Sequence, residues 1–382
     1  MLNRFRTALG TWAWCDQNER LYSLISFPLL EWALARETTE AIMAAQWLLS
    51  LVILACAIPC VQSSAQQRQL SAPELRVLSF NILQGGADAS NVGFANEQFG
   101  GSRLDEIVDV IRLSKADIVC VQEDASGSQL LDQLGHGWHR VGSIYSKFKM
   151  EALHEADWLH AARVQVNKDH KVVVVNCHWS PSDYGPFLIQ EQLKENGLPS
   201  DLERFERDIL KRVDKTNAPR GYEATLKLLR PFIESGQDVV LAGDFNEPSH
   251  LDWTTSYKNQ GKDRWVKNST SITLRFEIAW QGSQLLEEIG MHDAYRTYLP
   301  DEVNKPGNTW TPPYPNGTKG RRDYDDQVLD RIDRLYFIGE SLDLLDAAVV
   351  GESDATCEIA FHGRWPSDHR AVVAEFRLRT PD

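Results

Sequence analysis

Val239-Val240-Leu241-Ala242-Gly243-Asp244-Phe245-Asn246 is the stretch on which the fold turns. A short unbroken apolar run that ends in polar residues is the signature of a strand covered on both faces. A carboxylate at the end of such a strand is costly to bury unless it is paired or bound to a cation. Open α/β sheets bind ligands at the carboxyl ends of their strands, so Asp244 and Asn246 mark a candidate site.

The same pattern recurs on both sides. Residues 76–83, 117–122, 171–179, 238–245, 331–337, 347–351 and 369–378 read as strands, with Val172-Val173-Val174-Val175 the clearest. Helical spacing of Leu104, Ile107, Val108 and Ile111 follows Ser102, an expected N-cap. Residues 186–235 are helix-forming up to Gly236, whereas 300–325 hold Pro300, Pro306, Pro312, Pro313 and Pro315 and read as a long irregular loop. The class is α/β, with buried sheet and peripheral helices, over one domain at 73–380 with no internal linker or repeat.

The chain has 382 residues and a net charge of −14, with 42% apolar and 25% charged residues, as in an ordinary folded protein. The acidic balance and the lack of a basic stripe argue against a protein that coats long nucleic acid. Metal ions neutralise an acidic site locally, so a nuclease is not excluded.

Residues 47–58 form the one long apolar run, too short for a spanning helix and suited to a signal-peptide core. The expected organisation is an N-terminal extension at 1–42, with Met43 as a possible start, and a signal peptide or membrane anchor at 43–65. Ser63-Ser64-Ala65 offers a cleavage site; an uncleaved anchor and a lipid-modified Cys56 are the other readings. Export, secreted, periplasmic or tethered, is the expectation. Of the cysteines, Cys15, Cys56 and Cys60 lie in this leader, which leaves Cys120, Cys177 and Cys357. An odd set without paired spacing is no disulfide framework and no CxxC metal site, so these read as buried small hydrophobes.

Polar residues converge at the strand ends: Asn81, Glu123, His178, Asp244, Asn246 and the pair Asp368-His369, with Asp333 inside the strand-like 331–337. Taken singly, each has a plain reading. Asp244 and Asp368 suit an Asx-turn or helix cap, Glu123 and Asn81 are ordinary strand-end residues, and a lone histidine is usually structural. Taken together, carboxylates and an amide without thiolate suit a hard cation such as Mg²⁺ or Mn²⁺. Histidines beside carboxylates suit proton transfer near neutral pH.

The set Ser-Phe-Asn81, Val-Gln-Glu123, Asn-Cys-His178, Gly-Asp244-Phe-Asn246, Arg-Ile-Asp333 and Ser-Asp368-His369 resembles the endonuclease/exonuclease/phosphatase superfamily. That group includes DNase-I-like nucleases, abasic-site endonucleases, neutral sphingomyelinases and inositol-polyphosphate 5-phosphatases. The match runs in order over about residues 75–378. The stretches 243–250 and Asn308-Thr309-Trp310-Thr311-Pro312 look like exported bacterial members. The resemblance implies a four-layer α/β/β/α sandwich of two packed, mixed β-sheets flanked by helices. It also implies a hydrolase dependent on Mg²⁺ or Mn²⁺.

In that resemblance Glu123, Asn81 and Asp368 hold metal. Asp244 deprotonates the attacking water, Asn246 holds the water or phosphoryl oxygens, and His369, oriented by Asp333, meets the scissile phosphate. His178 stands where DNases and sphingomyelinases have His and abasic endonucleases have Tyr. The expected substrate is a phosphodiester, in nucleic acid, a phospholipid head group or a small phosphoester. Phosphomonoesters of inositol or sugars are one alternative and a non-catalytic binding protein is another. A monomer without a protein partner is expected. A scaffold or adhesin has no repeat or patch to support it.

Several neighbours stay open. Lys319, Arg321 and Arg322 meet a phosphate or form a solvated charge run. His250, Asp252 and Trp253, and likewise Tyr184 and Phe187, wall a substrate pocket or pack a loop. The interval 124–177 is short for the superfamily. Ser146-Lys147-Phe148 is the nearest counterpart of a segment that supports the histidine site, and helix is expected over 150–159. The support of His178 is the point in question.

Overall fold

The valine-rich runs become two central strands in one of two stacked sheets in the computed structural model, which describes residues 73–88 and 99–379. The leader, its apolar run and Cys15, Cys56 and Cys60 lie outside the described residues. Among the described residues no helix is long and apolar enough to cross a membrane. They belong to one compact unit, Ala72–Asp382.

The first sheet has the order β12 (Ile359–Ala360), β11 (Leu342–Gly351), β13 (Ala371–Leu378), β1 (Glu74–Asn81), β2 (Ile118–Gln122), β4 (Ile144–Ser146), β3 (His139–Val141). The second has the order β5 (Lys149–Ala156), β6 (Leu159–Gln165), β7 (Lys171–His178), β8 (Val239–Asp244), β10 (Asp333–Ile338), β9 (His292–Asp293). Both are mixed: β1 runs parallel to β2 and β7 parallel to β8, whereas β1–β13 and β8–β10 are antiparallel.

Helices α1 (Leu104–Ser114) and α2 (Ser128–Leu134) cover the outer face of the first sheet. On the other side, α3 (Gly185–Asn196) and α4 (Leu202–Asn217) precede α5 (Tyr222–Glu234). The outer face of the second sheet is covered by α5 and by Leu286 of a later helix, Gln281–Glu288. The result is the expected four-layer α/β/β/α sandwich.

Side chains alternate across a strand with period two, and this sorts the core. Leu75, Val77, Ile118 and Cys120 meet Val172, Val174, Val240, Ala242 and Leu335 between the sheets. Leu78, Phe80, Val119 and Val121 face outward onto Ile107, Val108 and Ile111 of α1. The same alternation carries Asn81, Gln122, Asn176, His178, Asp244 and Asp333 onto the inter-sheet face at one end of the sandwich. Gln122 and Asn176 form a polar floor there: Gln122 Nε2 donates to Asn176 Oδ1 at 2.7 Å and to Ser79 Oγ at 3.2 Å. The valine runs therefore build the core, and their polar last residues build a site.

Two local expectations are corrected. The segment 150–159 is not helical: β5 and β6 form an antiparallel hairpin there, and β3 and β4 precede it. The short interval 124–177 thus holds four whole strands and all of β7 but its last residue, and the edge of the second sheet is present. Ser102 does not cap α1. Arg103 stands at the N-cap without a side-chain cap bond, and Asp105 and Glu106 in the first turn suit the helix dipole instead. The free cysteines Cys120, Cys177 and Cys357 are buried, as expected of small hydrophobes.

Candidate active site

Strand register brings the carboxylates and histidines together. Across the parallel β7–β8 pair His178 lies beside Asp244, and across the antiparallel β8–β10 pair Asp333 lies beside Asp244. Gly243 permits this approach: a Cβ there would sit 2.5 Å from both the carbonyl oxygen and the sulfur of Cys177. The first sheet supplies Asn81, whose Nδ2 donates to Asp244 Oδ2 at 3.0 Å and to Glu123 Oε1 at 3.3 Å. Glu123, just past β2 with φ 57°, is aimed by Gln84, whose backbone N–H donates to Oε2 at 2.9 Å.

His369 arrives on the loop between β12 and β13. Ser367 Oγ donates to the Asn81 carbonyl at 2.6 Å and accepts from the His369 N–H at 3.1 Å, which ties that loop to the end of β1. His369 Nδ1 lies 2.9 Å from Asp333 Oδ2, and Nε2 lies 3.7 Å from Asp244 Oδ2. His178 Nε2 approaches the same Asp244 oxygen to 3.5 Å. Asp244 is thus flanked by two imidazoles and capped by the Asn246 N–H on Oδ1 at 2.9 Å. Asn246, at φ 46°, anchors its own Nδ2 on the Trp179 carbonyl at 3.0 Å.

Burial sets the electrostatics. Burial raises the Asp244 carboxyl above its ordinary value, with Asp333 adding to the rise and the two histidines opposing it. Burial disfavours a charged His369, but Asp333, Asp244 and Asp368 outweigh it and push the imidazole up to about 10. For Asp368, burial raises the carboxyl while Arg321 and His369 more than offset it and hold it below its ordinary value.

A family model described as Endonuclease/Exonuclease/phosphatase family matches residues 78–369, from the middle of β1 to the histidine of this site. The chain belongs to the endonuclease/exonuclease/phosphatase family.

An uncharacterised protein of Caenorhabditis elegans is 26% identical over 320 residues, 79% of this chain and 91% of that protein. Among solved structures, a Neisseria 3′ phosphatase (NExo) with product DNA hairpin is 18% identical, with TM-score 0.46, covering 79% of this chain and 99% of that one. Truncated Caenorhabditis elegans TDP2 is 17% identical, with TM-score 0.42, covering 80% and 98%. The curated relative is from an animal, so the bacterial character expected of this family member is not supported by it.

Among the described residues, Asp244, Asp333 and His369 form a group whose ligand atoms lie within 4.8 Å of one another and fit a metal ion by distance. The hydrogen bonding counts against that place. His369 Nδ1 is committed to Asp333 at 2.9 Å, so an ion here would compete with that pair. Glu123 offers carboxylate oxygens at these strand ends and meets only the amides of Asn81 and Gln84 among the described residues; Asn81 turns Nδ2 toward it, and its Oδ1 accepts from the Leu83 N–H at 3.1 Å. Hard oxygen donors beside several carboxylates fit a divalent cation such as Mg²⁺. Asp368, expected in the same set, instead carries an ion pair with Arg321.

A cleft of about 450 Å³ opens beside the site, lined in part by Tyr184, Phe187, Asn246, Trp310, Arg322 and Ile332. Tyr184 and Phe187 are therefore walls of this cleft, packed edge to face at 5.0 Å. Trp310 joins the cleft to the centre, its ring 4.7 Å from that of His369. His250, Asp252 and Trp253 do not line it. Asp252 is paired with Arg296 and Arg331, Trp253 Nε1 donates to Asp330 at 2.9 Å, and His250 is bound to Ser283 and Glu287.

Three supporting residues escaped the sequence reading. Thr309 Oγ1 accepts the N–H groups of Ile332 and Asp333 at 3.1 and 3.0 Å, and Thr311 Oγ1 donates to the Asp368 carbonyl at 2.9 Å. The irregular loop is thereby strapped across the site. Arg103 is fully buried and donates to the carbonyls of Leu83 at 2.6 Å and Pro366 at 2.5 Å, joining the loops after Asn81 and before Asp368. The quoted 308–312 stretch was a signal for the threonines; nothing in the sequence singles out Arg103.

Proposed function

We propose that this family member is a divalent-metal-dependent phosphodiesterase that attacks phosphorus with water. The observation that carries the reading is Asp244, buried between His178 and His369 with Asp333 behind His369. That is a base, two imidazoles and an orienting carboxylate within hydrogen-bonding reach of one bound group.

Asp244, raised by burial, orients a water and takes its proton as the new oxygen–phosphorus bond forms. His369, held charged on Asp333, meets the phosphoryl oxygens as negative charge builds there. His178 is the more open imidazole, with its side chain 27% exposed against 4% for His369, and so reaches solvent. It gives a proton to the leaving oxygen as the old oxygen–phosphorus bond breaks. Asn246, fixed on Trp179, positions the water or a phosphoryl oxygen at the edge of the cleft. Glu123 would hold a Mg²⁺ or Mn²⁺ ion, with the Asn81 amide steadying its carboxylate; when bound, the ion supplies Lewis-acid polarisation of the phosphoryl group.

The cleft favours a diester over a monoester, because aromatic walls beside the centre give a second substituent a place to sit. Export through the 43–65 segment is part of the same proposal, and mass determination of the natural N-terminus tests it. The substrate class is tested with plasmid DNA, RNA, sphingomyelin, inositol phosphates and nucleotides, each with and without EDTA. Metal-dependent cleavage of a diester at rates above every monoester is expected; the reverse order would replace this reading with a phosphomonoesterase.

A further inference from the structure

Arg321 stands in a run of charges within a proline-rich loop, where a solvated side chain is the ordinary outcome. Instead its side chain is 9% exposed and ion-paired with Asp368, itself 3% exposed. Its guanidinium lies 5.3 Å from the ring centre of Trp310, 5.8 Å from Tyr314 and 5.9 Å from Phe99. Aromatic faces attract a cation, so these rings form a cage around the charge.

The loop that carries Arg321 is fixed from several sides. Tyr314 donates its hydroxyl to the Arg322 carbonyl at 2.7 Å, Gln327 Nε2 donates to the Tyr314 hydroxyl, and the Arg321 N–H reaches the Thr318 carbonyl at 3.1 Å. Arg322 then donates to Gln190 Oε1 at 2.5 Å on α3. Thr311 holds the Asp368 backbone, as described above. Both partners of the ion pair are therefore held independently of each other.

We propose that Arg321 is the resident cation of the Asp368 side of this centre. The centre then works with one divalent ion, on Glu123, and a guanidinium takes the place of a second. This rests on the reading of the site as a phosphoesterase.

The physical reason is exclusion. A guanidinium is permanently charged, planar and able to grip a carboxylate through a fork of N–H groups. An ion arriving at Asp368 would meet that charge at contact range and would have to expel it from the aromatic cage, leaving a buried cation without its carboxylate. Glu123, in contrast, accepts hydrogen bonds only from amides among the described residues, and buried Arg103 acts on it through charge alone, so no cation is bonded to it to be displaced. Arg321 also adds a fixed positive charge next to His369, which eases the approach of an anionic substrate to a chain of net charge −14.

The test counts metal directly, by following free Mn²⁺ with EPR as the full-length chain is titrated, with turnover of bis(p-nitrophenyl) phosphate measured in parallel. The wild type is expected to bind one Mn²⁺ at the centre. Glu123→Gln should lose it and Asp368→Asn should keep it. Arg321→Ala should gain a second Mn²⁺ that the added Asp368→Asn change removes, and Arg321→Lys should stay at one. Arg321→Ala should also lower kcat by about 10²-fold, the scale of one lost preorganised charge.

Two ions in the wild type, loss of the ion in Asp368→Asn, or a single ion in folded Arg321→Ala would overturn the proposal. Should near-UV circular dichroism show that Arg321→Ala is unfolded, the Glu123→Gln and Asp368→Asn pair decides it. Absence of turnover would count against the phosphoesterase reading alone, because the number of bound ions is read without catalysis.

Discussion

Asp333 faces Asp244 in register across the antiparallel β8–β10 pair, and His369 lies between them, 2.9 Å from Asp333 and 3.7 Å from Asp244. Two buried carboxylates on one face repel unless a cation stands between them, and the charged imidazole is that cation. Asp333→Asn removes the charge that holds His369 protonated and oriented. Its kcat is expected to fall by about 10²-fold or more with KM little changed, the scale on which positioned acid–base groups act. Steady-state kinetics on a chromogenic diester check this.

Gly243 tests the register itself. With Cys177 atoms 2.5 Å from a new Cβ, Gly243→Ala must push β7 and β8 apart where His178 meets Asp244. Overpacking of this kind costs about 1–3 kcal/mol, measured by urea denaturation. Activity should fall further than stability does, because the displaced pair is the proposed catalytic one.

Glu247 gives the fold a pH dependence of its own. Burial raises this carboxyl to about 7 from an ordinary 4.5, against the opposing charge of Arg334. The folded state therefore binds a proton that the unfolded state has released between pH 4.5 and about 7. Its contribution is fully present below 4.5 and is lost as pH rises through that window, by about 3 kcal/mol at most. Denaturant unfolding across pH should show this decline, and Glu247→Gln should flatten it.

Lys147 bears on the open question of what supports His178. It pairs with Asp117 at 3.0 Å, with its side chain 44% exposed, at the end of β4. Lys147→Ala is expected to leave kcat and KM unchanged; a clear loss would mean that this segment reaches the histidine after all.

The two central strands of the second sheet were legible because β7 and β8 are buried on both faces, which demands the unbroken apolar runs seen at 172–175 and 239–242. The candidate site was legible for the same reason: its polar residues stand at the ends of the apolar runs, and the strand register brings them together. Strand β5 was not. Its sequence, KMEALHEA, is built of good helix formers, and its burial pattern mixes exposed and half-buried positions. As an edge strand it is held by pairing with β6, a tertiary effect that outweighs local propensity. Arg103 went unnoticed, and Arg321 was read only as a phosphate contact or a solvated charge, for a related reason. Whether an arginine is solvated or buried on a carboxylate or carbonyls depends on loops distant in sequence, here Ser367-Asp368 and the turn after Asn81.

The most direct measurement is the rate of p-nitrophenol release from bis(p-nitrophenyl) phosphate by the full-length chain with Mg²⁺ or Mn²⁺. It should be compared with the rate after EDTA and with the rates of Asp244→Asn and His369→Ala. Chelation should abolish turnover, and each substitution should lower it by about 10²- to 10⁴-fold, the range expected of a lost acid–base group. Turnover that survives EDTA, or that is undiminished in both variants, would contradict the account.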